Sequence, residues 1–172
     1  MTDATESDLE APGRRPTSGD PAPDFELEGT AGSPDAADGS RRYHLADHRD
    51  EPVVLVFYPA DGSPVCTQQL RSYSEDLGAF ERLGATVWCL SPQDVASHER
   101  FAAEQGLHLP LLADVDAQVG QAYDILGPLG FYRRSVFVVD GAGMIRFARR
   151  SMSSMTYLPV ERLLEAVRST TA

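Results

Sequence analysis

Val53-Val54-Leu55-Val56-Phe57 is an unbroken apolar run of strand length. Such a run suits a central strand buried on both faces rather than a strand with one wet side. It leads directly into Tyr58-Pro59-Ala60-Asp61-Gly62-Ser63-Pro64-Val65-Cys66, a cluster of turn-forming residues. Ser63 then reads as a helix N-cap and Pro64 as the first helical residue, where no N–H is required. Cys66 falls in the first turn of that helix, close behind the end of the strand.

A first helical turn carries unpaired N–H groups and the positive end of the dipole, and both favour a thiolate over a thiol. The thiolate is the nucleophilic form, so Cys66 is expected to be ionised and reactive near neutral pH. The alternative from position alone is a small buried hydrophobe. Asp61 and Gly62 read as turn residues.

The stretch from Phe57 to Thr67 resembles the peroxiredoxin active-site motif Pro-x-x-x-Thr/Ser-x-x-Cys. It is most similar to the Q-type branch, also called bacterioferritin-comigratory-protein-like, with its pattern Phe-Tyr-Pro-x-Asp-x-Thr-Pro-x-Cys-Thr-x-Glu. Upstream, Gly19-Asp20-Pro21-Ala22-Pro23-Asp24-Phe25-Glu26-Leu27 is similar to that family's opening Gly-x-x-Ala-Pro-x-Phe-x-Leu. The resemblance spans residues 20 to 170. It implies a thioredoxin-like fold with extra N-terminal strands and thiol-dependent reduction of peroxides, with Cys66 passing through a sulfenic acid.

The same resemblance assigns further site residues. Ser63 stands where the family has Thr or Ser, so its hydroxyl is expected to contact the peroxide as well as, or instead of, capping the helix. Pro59 is either a strand-ending turn residue or, as in the family, a shield for the sulfur. Arg134-Ser135-Val136-Phe137-Val138-Val139-Asp140 resembles the family segment whose Arg reaches the active site, which makes Arg134 the expected cation beside the sulfur; a solvated Arg at a strand start is the alternative. Two positions depart from the pattern. The resolving cysteine that some members carry five residues on is Arg71 here, and the Glu after Cys-Thr-x is Gln69.

Cys89 lies between Trp88 and Leu90 in an apolar run and reads as an inert buried thiol. A link to Cys66 requires Cα atoms within about 7 Å, and a helix start and a mid-strand position are not expected to meet without local unfolding. A one-cysteine mechanism follows, resolved by a thioredoxin-like protein or a small thiol. A thiol–disulfide oxidoreductase fits poorly without a Cys-x-x-Cys pair. A redox sensor or holdase switched by Cys66 oxidation is the competing reading.

The remaining chain suits one α/β domain. Residues 1–19 are polar and acidic and read as a disordered tail ahead of a domain over 20–172. Phe25 and Leu27 alternate with acidic residues as in a half-buried strand; residues 30 to 40 read as a loop and 41–45 as a short strand. Leu70, Tyr73, Leu77 and Phe80 predict one helical face after Cys66, stopped by Gly84. Buried strands are predicted over 85–90 and 135–140, with a helix through Glu104 ended by Gly106, a short extended segment at 109–114 and a short helix from Ala117 to Tyr123. A hairpin joins 135–140 to Met144–Ala148, and Pro159 opens a last amphipathic helix. Met152 and Met155 are expected to pack locally. His44 and His48 have helical metal-ligand spacing but lie in a strand-to-loop region, His98 and His108 are scattered, and neither a metal site nor an organic cofactor is expected.

The net charge is −11, and all 15 basic residues are Arg. Such a surface disfavours nucleic acid and anionic membrane as partners, and it self-repels unless salt screens it. Salt adaptation is the reading; replacement of Lys by Arg in a biased genome is the alternative. Two cysteines make no disulfide framework, and a cytoplasmic, reducing setting is expected. The sequence leaves monomer and homodimer equally open.

Overall fold

A computed structural model describes residues 15–33, 40–153 and 155–171. Seven strands form one sheet: β1 (Glu26–Thr30), β2 (Ser40–His44), β3 (Val53–Phe57), β4 (Thr86–Ser91), β5 (Leu111–Ala113), β6 (Ser135–Val139) and β7 (Ile145–Arg150). Their spatial order is β2-β1-β5-β4-β3-β6-β7. β3 runs parallel to β4 and antiparallel to β6, with Leu55 opposite both Trp88 and Phe137. Flanked on both sides and covered on both faces, all five residues of β3 are buried, as its apolar run requires.

The alternation along β3 divides the core. Val54 and Val56 belong to one apolar cluster with Cys66, Leu70, Tyr73, Phe80 and Cys89. That face is covered by α1 (Pro64–Glu75), α2 (Leu77–Arg82), α3 (Val95–Gln105) and α5 (Val160–Thr171). Val53, Leu55 and Phe57 join Phe25, Trp88, Tyr123, Tyr132 and Phe137 on the opposite face, where α4 (Gln118–Ala122) contributes Val119. The last helix buries Val160, Leu163, Leu164 and Val167, the predicted stripe.

Two expectations shift. The helix after Cys66 is not continuous: Asp76, at φ −102° and ψ 18°, separates α1 from α2. The Leu70–Phe80 spacing survives because Leu70, Tyr73 and Phe80 still turn toward the same cluster. The tail read as ending at residue 19 is shorter at that end. Gly19 N–H donates to the Ile145 carbonyl (2.8 Å), and Arg150 Nη2 donates to the Pro16 carbonyl (2.6 Å). A backbone bond from Gly19 to β7 and the Arg150 side chain on Pro16, rather than apolar burial, hold this end, so a composition argument does not register it. Residues 1–14 of that tail, and 34–39 of the predicted loop, lie outside the described residues.

Candidate active site

The strand-to-helix corner places Cys66. Tyr58 N–H donates to the Leu90 carbonyl (3.0 Å), carrying the β3 pairing one residue further. Gly62 then takes φ +81°, which only a residue without Cβ adopts freely. Ser63 is the N-cap residue and Pro64 the first of α1. The Ser63 hydroxyl makes no capping bond, which corrects the expectation of an ordinary N-cap. Its carbonyl is the engaged group, accepting from Thr67 N–H (2.9 Å) and Thr67 Oγ1 (2.8 Å). The hydroxyl therefore does not claim the N–H groups of the first turn beside Cys66.

Cys66 is fully buried. Arg134, itself buried just ahead of β6, directs Nη1 to Cys66 Sγ at 3.3 Å and to Gln69 Oε1 at 2.6 Å. β6 lies beside β3, so the start of one strand is carried to the corner at the end of the other. Gln69 is one helical turn beyond Cys66 and faces the same way. Its Nε2 donates to Tyr73 Oη (3.4 Å), which donates to the Leu158 carbonyl (2.5 Å). Two donors thus converge on this corner: a guanidinium held by Gln69, and the open first turn of a helix. The arrangement suits a thiolate and a polarised oxygen beside it.

Pro59 is half-buried in the corner loop, and its carbonyl accepts from Gln93 Nε2 (3.4 Å). The loop carries a polar cluster that the sequence reading passed over. Asp61, a turn residue by its sequence neighbours, has a side chain only 7% exposed, and His98, scattered in sequence from the other histidines, is completely buried. Tyr58 Oη donates to Asp61 Oδ1 (2.6 Å) and Ser97 Oγ to Asp61 Oδ2 (2.8 Å). His98 Nδ1 lies 2.7 Å from Asp61 Oδ2, and Nε2 lies 3.1 Å from the Leu112 carbonyl oxygen. One signal was available: His98 stands three and four residues before Phe101 and Ala102, on the buried face of α3.

Cys89 is buried in the same apolar cluster as Cys66, and burial pushes its thiol far above the usual range. Both cysteines are free. Met152 and Met155 do not pack locally as expected: they are 91% and 71% exposed, in the segment that follows β7. Ser151 N–H in that segment donates to the Arg134 carbonyl (2.8 Å). Among the described residues, no group of three or more His, Cys, Asp or Glu side chains is placed to hold a metal ion, and no helix is long and apolar enough to cross a membrane.

The model of the AhpC/TSA family matches residues 18–148. The chain belongs to that family. A Mycobacterium tuberculosis protein that carries a peroxiredoxin name is 37% identical over 147 residues, covering 81% of this chain and 88% of its own. Peroxiredoxin Bcp of Xanthomonas campestris is 30% identical over 120 residues, covering 70% of this chain and 71% of its own. Among solved structures, AhpC of Mycobacterium tuberculosis superposes with a TM-score of 0.83 at 23% identity, covering 91% of this chain and 93% of its own. Peroxiredoxin Q of Xanthomonas campestris does so with a TM-score of 0.75 at 24% identity, covering 86% and 92%. The fold is thus the thioredoxin-like fold of peroxiredoxins, with β1 and β2 as the additional N-terminal strands. As a peroxiredoxin the chain is a thiol-dependent peroxidase, an oxidoreductase.

Proposed function

We propose that Cys66 is the peroxidatic nucleophile, that Arg134 and Ser63 orient and polarise the peroxide, and that Pro59 shields the sulfur. The observation that carries this reading is the Arg134 guanidinium bridging Cys66 Sγ and Gln69 Oε1. The thiolate attacks one peroxide oxygen. An S–O bond forms as the O–O bond breaks, and the bonding pair leaves on the second oxygen, which takes up a proton to become water or an alcohol. Sulfur is oxidised to sulfenic acid and the peroxide is reduced. Guanidinium and first-turn N–H donors suit the charge that develops on the leaving oxygen.

An external thiol then displaces water from the sulfenic acid to give a mixed disulfide. A second thiol releases Cys66 as the thiol and leaves the donor as disulfide. A thioredoxin-like protein or a small thiol serves as that donor, because Arg71 occupies the position of a same-helix resolving cysteine and Cys89 is a buried thiol of low acidity. Hydrogen peroxide is the first substrate, with organic hydroperoxides beside it. Two free thiols and an acidic, Lys-free surface support a reducing, cytoplasmic setting without nucleic-acid or membrane partners. The same surface supports salt adaptation, to be read as a melting temperature that rises with added salt.

The deciding experiment adds one equivalent of hydrogen peroxide to reduced protein and maps the mass change. The expected result is one added oxygen on Cys66, followed by many turnovers when a dithiol donor is present. A single oxidation with no turnover would favour a redox sensor, and no oxidation would remove the assignment of Cys66.

A further inference from the structure

The hydrogen bonds around His98 fix a proton count. The Leu112 carbonyl oxygen only accepts, so Nε2 at 3.1 Å carries a hydrogen. Nδ1 stands 2.7 Å from Asp61 Oδ2, a bonding distance, so a second proton lies between them. The two Asp61 oxygens also accept the Tyr58 and Ser97 hydroxyls. Two hydroxyl donors on one carboxylate favour its ionised form and leave the second proton on the ring.

We infer that Asp61 and His98 are positioning residues for peroxide reduction: a buried carboxylate–imidazolium pair that clamps the loop carrying Pro59 and Ser63 against α3 and β5. The inference rests on the peroxidase reading above. Asp61 lies two residues before Ser63 and five before Cys66. Its N–H donates to Gln93 Oε1 (3.0 Å), whose Nε2 reaches the Pro59 carbonyl (3.4 Å), and Ser91 Oγ donates to the same Gln93 oxygen (2.5 Å). The loop is thus tied through both Asp61 and Pro59 to rigid elements behind it. Removing one partner would leave the other's buried polar atoms without their hydrogen bond. The loop would then lose its tie to α3 and β5 and shift, and Pro59 and Ser63 with it.

The titratable groups facing the pair are few in kind. Tyr58 brings its hydroxyl 3.4 Å from Nδ1, and burial and then the charge of Asp61 push its phenol well above 10. Cys89 lies behind Tyr58 and is likewise pushed up by burial. Ser97, Gln93 and Ser91 do not titrate. Burial pushes the Asp61 carboxyl up, but the bond to His98, its charge, and the Tyr58 and Ser97 hydroxyls outweigh this and hold it below the usual carboxylate range.

The test uses the full chain and compares two reactions of Cys66. Peroxide needs the positioned loop, whereas iodoacetamide needs only the thiolate. In Asp61→Ala, compared with wild type at neutral pH, the rate constant with hydrogen peroxide is expected to fall about tenfold relative to alkylation, since small misplacements of reacting groups have effects of this order or larger. In Asp61→Asn the side-chain amide can still hydrogen-bond His98 Nδ1, and that conservative variant is expected to recover most of the lost ratio. Nitrogen NMR of wild-type His98 should show both ring nitrogens protonated at neutral pH. A neutral ring with an unprotonated Nδ1, or a peroxide-to-alkylation ratio in Asp61→Ala equal to that of wild type, would overturn the inference. Failure of the peroxidase reading looks different: no peroxide consumption at any pH, with both ring nitrogens still protonated.

Discussion

Arg134 donates to Gln69 Oε1 at 2.6 Å with the same nitrogen that stands 3.3 Å from Cys66 Sγ. Gln69 is a neutral acceptor, so it orients the guanidinium without neutralising it. Its amide direction is fixed, because Nε2 donates to Tyr73 Oη and only Oε1 remains for Arg134.

Gln69→Glu should therefore weaken the attraction between Arg134 and the sulfur, although it restores the residue in the resembled motif. A carboxylate shares the guanidinium charge and cannot donate to Tyr73. Alkylation of Cys66 by iodoacetamide at neutral pH should slow by about tenfold, the order of one charge-assisted hydrogen bond weakened at the sulfur. An unchanged rate would mean that a charge at position 69 does not reach the sulfur.

Arg134→Met keeps a long apolar stem beside Cys66 but removes the donor. Peroxide consumption should fall by about 10²–10³-fold, as when one donor to a developing oxyanion is removed. The circular-dichroism spectrum should stay native, because the sheet bonds of β6 are made by its backbone. Full activity in this variant would sink the assignment of Arg134.

The residues that could be read from sequence are those whose role is set by local backbone pattern. The buried run of β3, Pro64 at the helix start and Cys66 behind it follow from apolar length and capping chemistry. Arg134 came through the resemblance, because nothing local brings the start of β6 to the end of β3; their pairing does. Asp61 and His98 were missed for the same reason. They are 37 positions apart, each has an ordinary local explanation, and only the packing of α3 beside the corner loop joins them. The break at Asp76 escaped because apolar spacing continues across it.

Cys89→Ala tests the one-cysteine mechanism. Peroxide turnover with an external dithiol should remain within about twofold of wild type, and the added oxygen should still map to Cys66. The cost is expected in stability instead, about 1 kcal/mol for removing one buried heavy atom. Turnover that collapses while the fold holds would give Cys89 a resolving role and imply that the first turn of α1 opens during catalysis.

Asp114 is a structural counterpart to the site. It is buried after β5, and its carboxylate accepts from Val119 N–H (3.1 Å), Gly120 N–H (2.8 Å) and the Tyr132 hydroxyl. Asp114→Ala leaves two helix N–H groups and a buried hydroxyl without an acceptor, and should cost about 2–4 kcal/mol in urea unfolding. Gly120→Ala should destabilise through the same contact, because a Cβ there would lie 2.8 Å from Tyr132 Cε1. A cost within experimental error for Asp114→Ala would show that water satisfies these groups.

Asp140 supplies the clearest acid-side dependence of stability. At the β6–β7 turn its Oδ1 accepts Ala142 N–H and Met144 N–H, each at 2.9 Å, and its Oδ2 accepts Arg146 Nε at 2.6 Å. Burial raises its pKa, but the Met144 bond, the Arg146 bond and the Ala142 bond outweigh this and lower it overall. A carboxyl whose folded pKa lies below its unfolded value binds fewer protons when folded. It therefore stabilises the fold above the unfolded value of about 4 and loses that contribution as pH falls through the folded one. Asp140→Asn should have a lower urea midpoint than wild type at neutral pH. The gap should close as the solution is acidified, because a protonated Asp140 and the neutral amide of the variant both lack the charge that Arg146 meets. A gap that stays constant across that range would show that hairpin geometry, rather than the charge of Asp140, sets the difference.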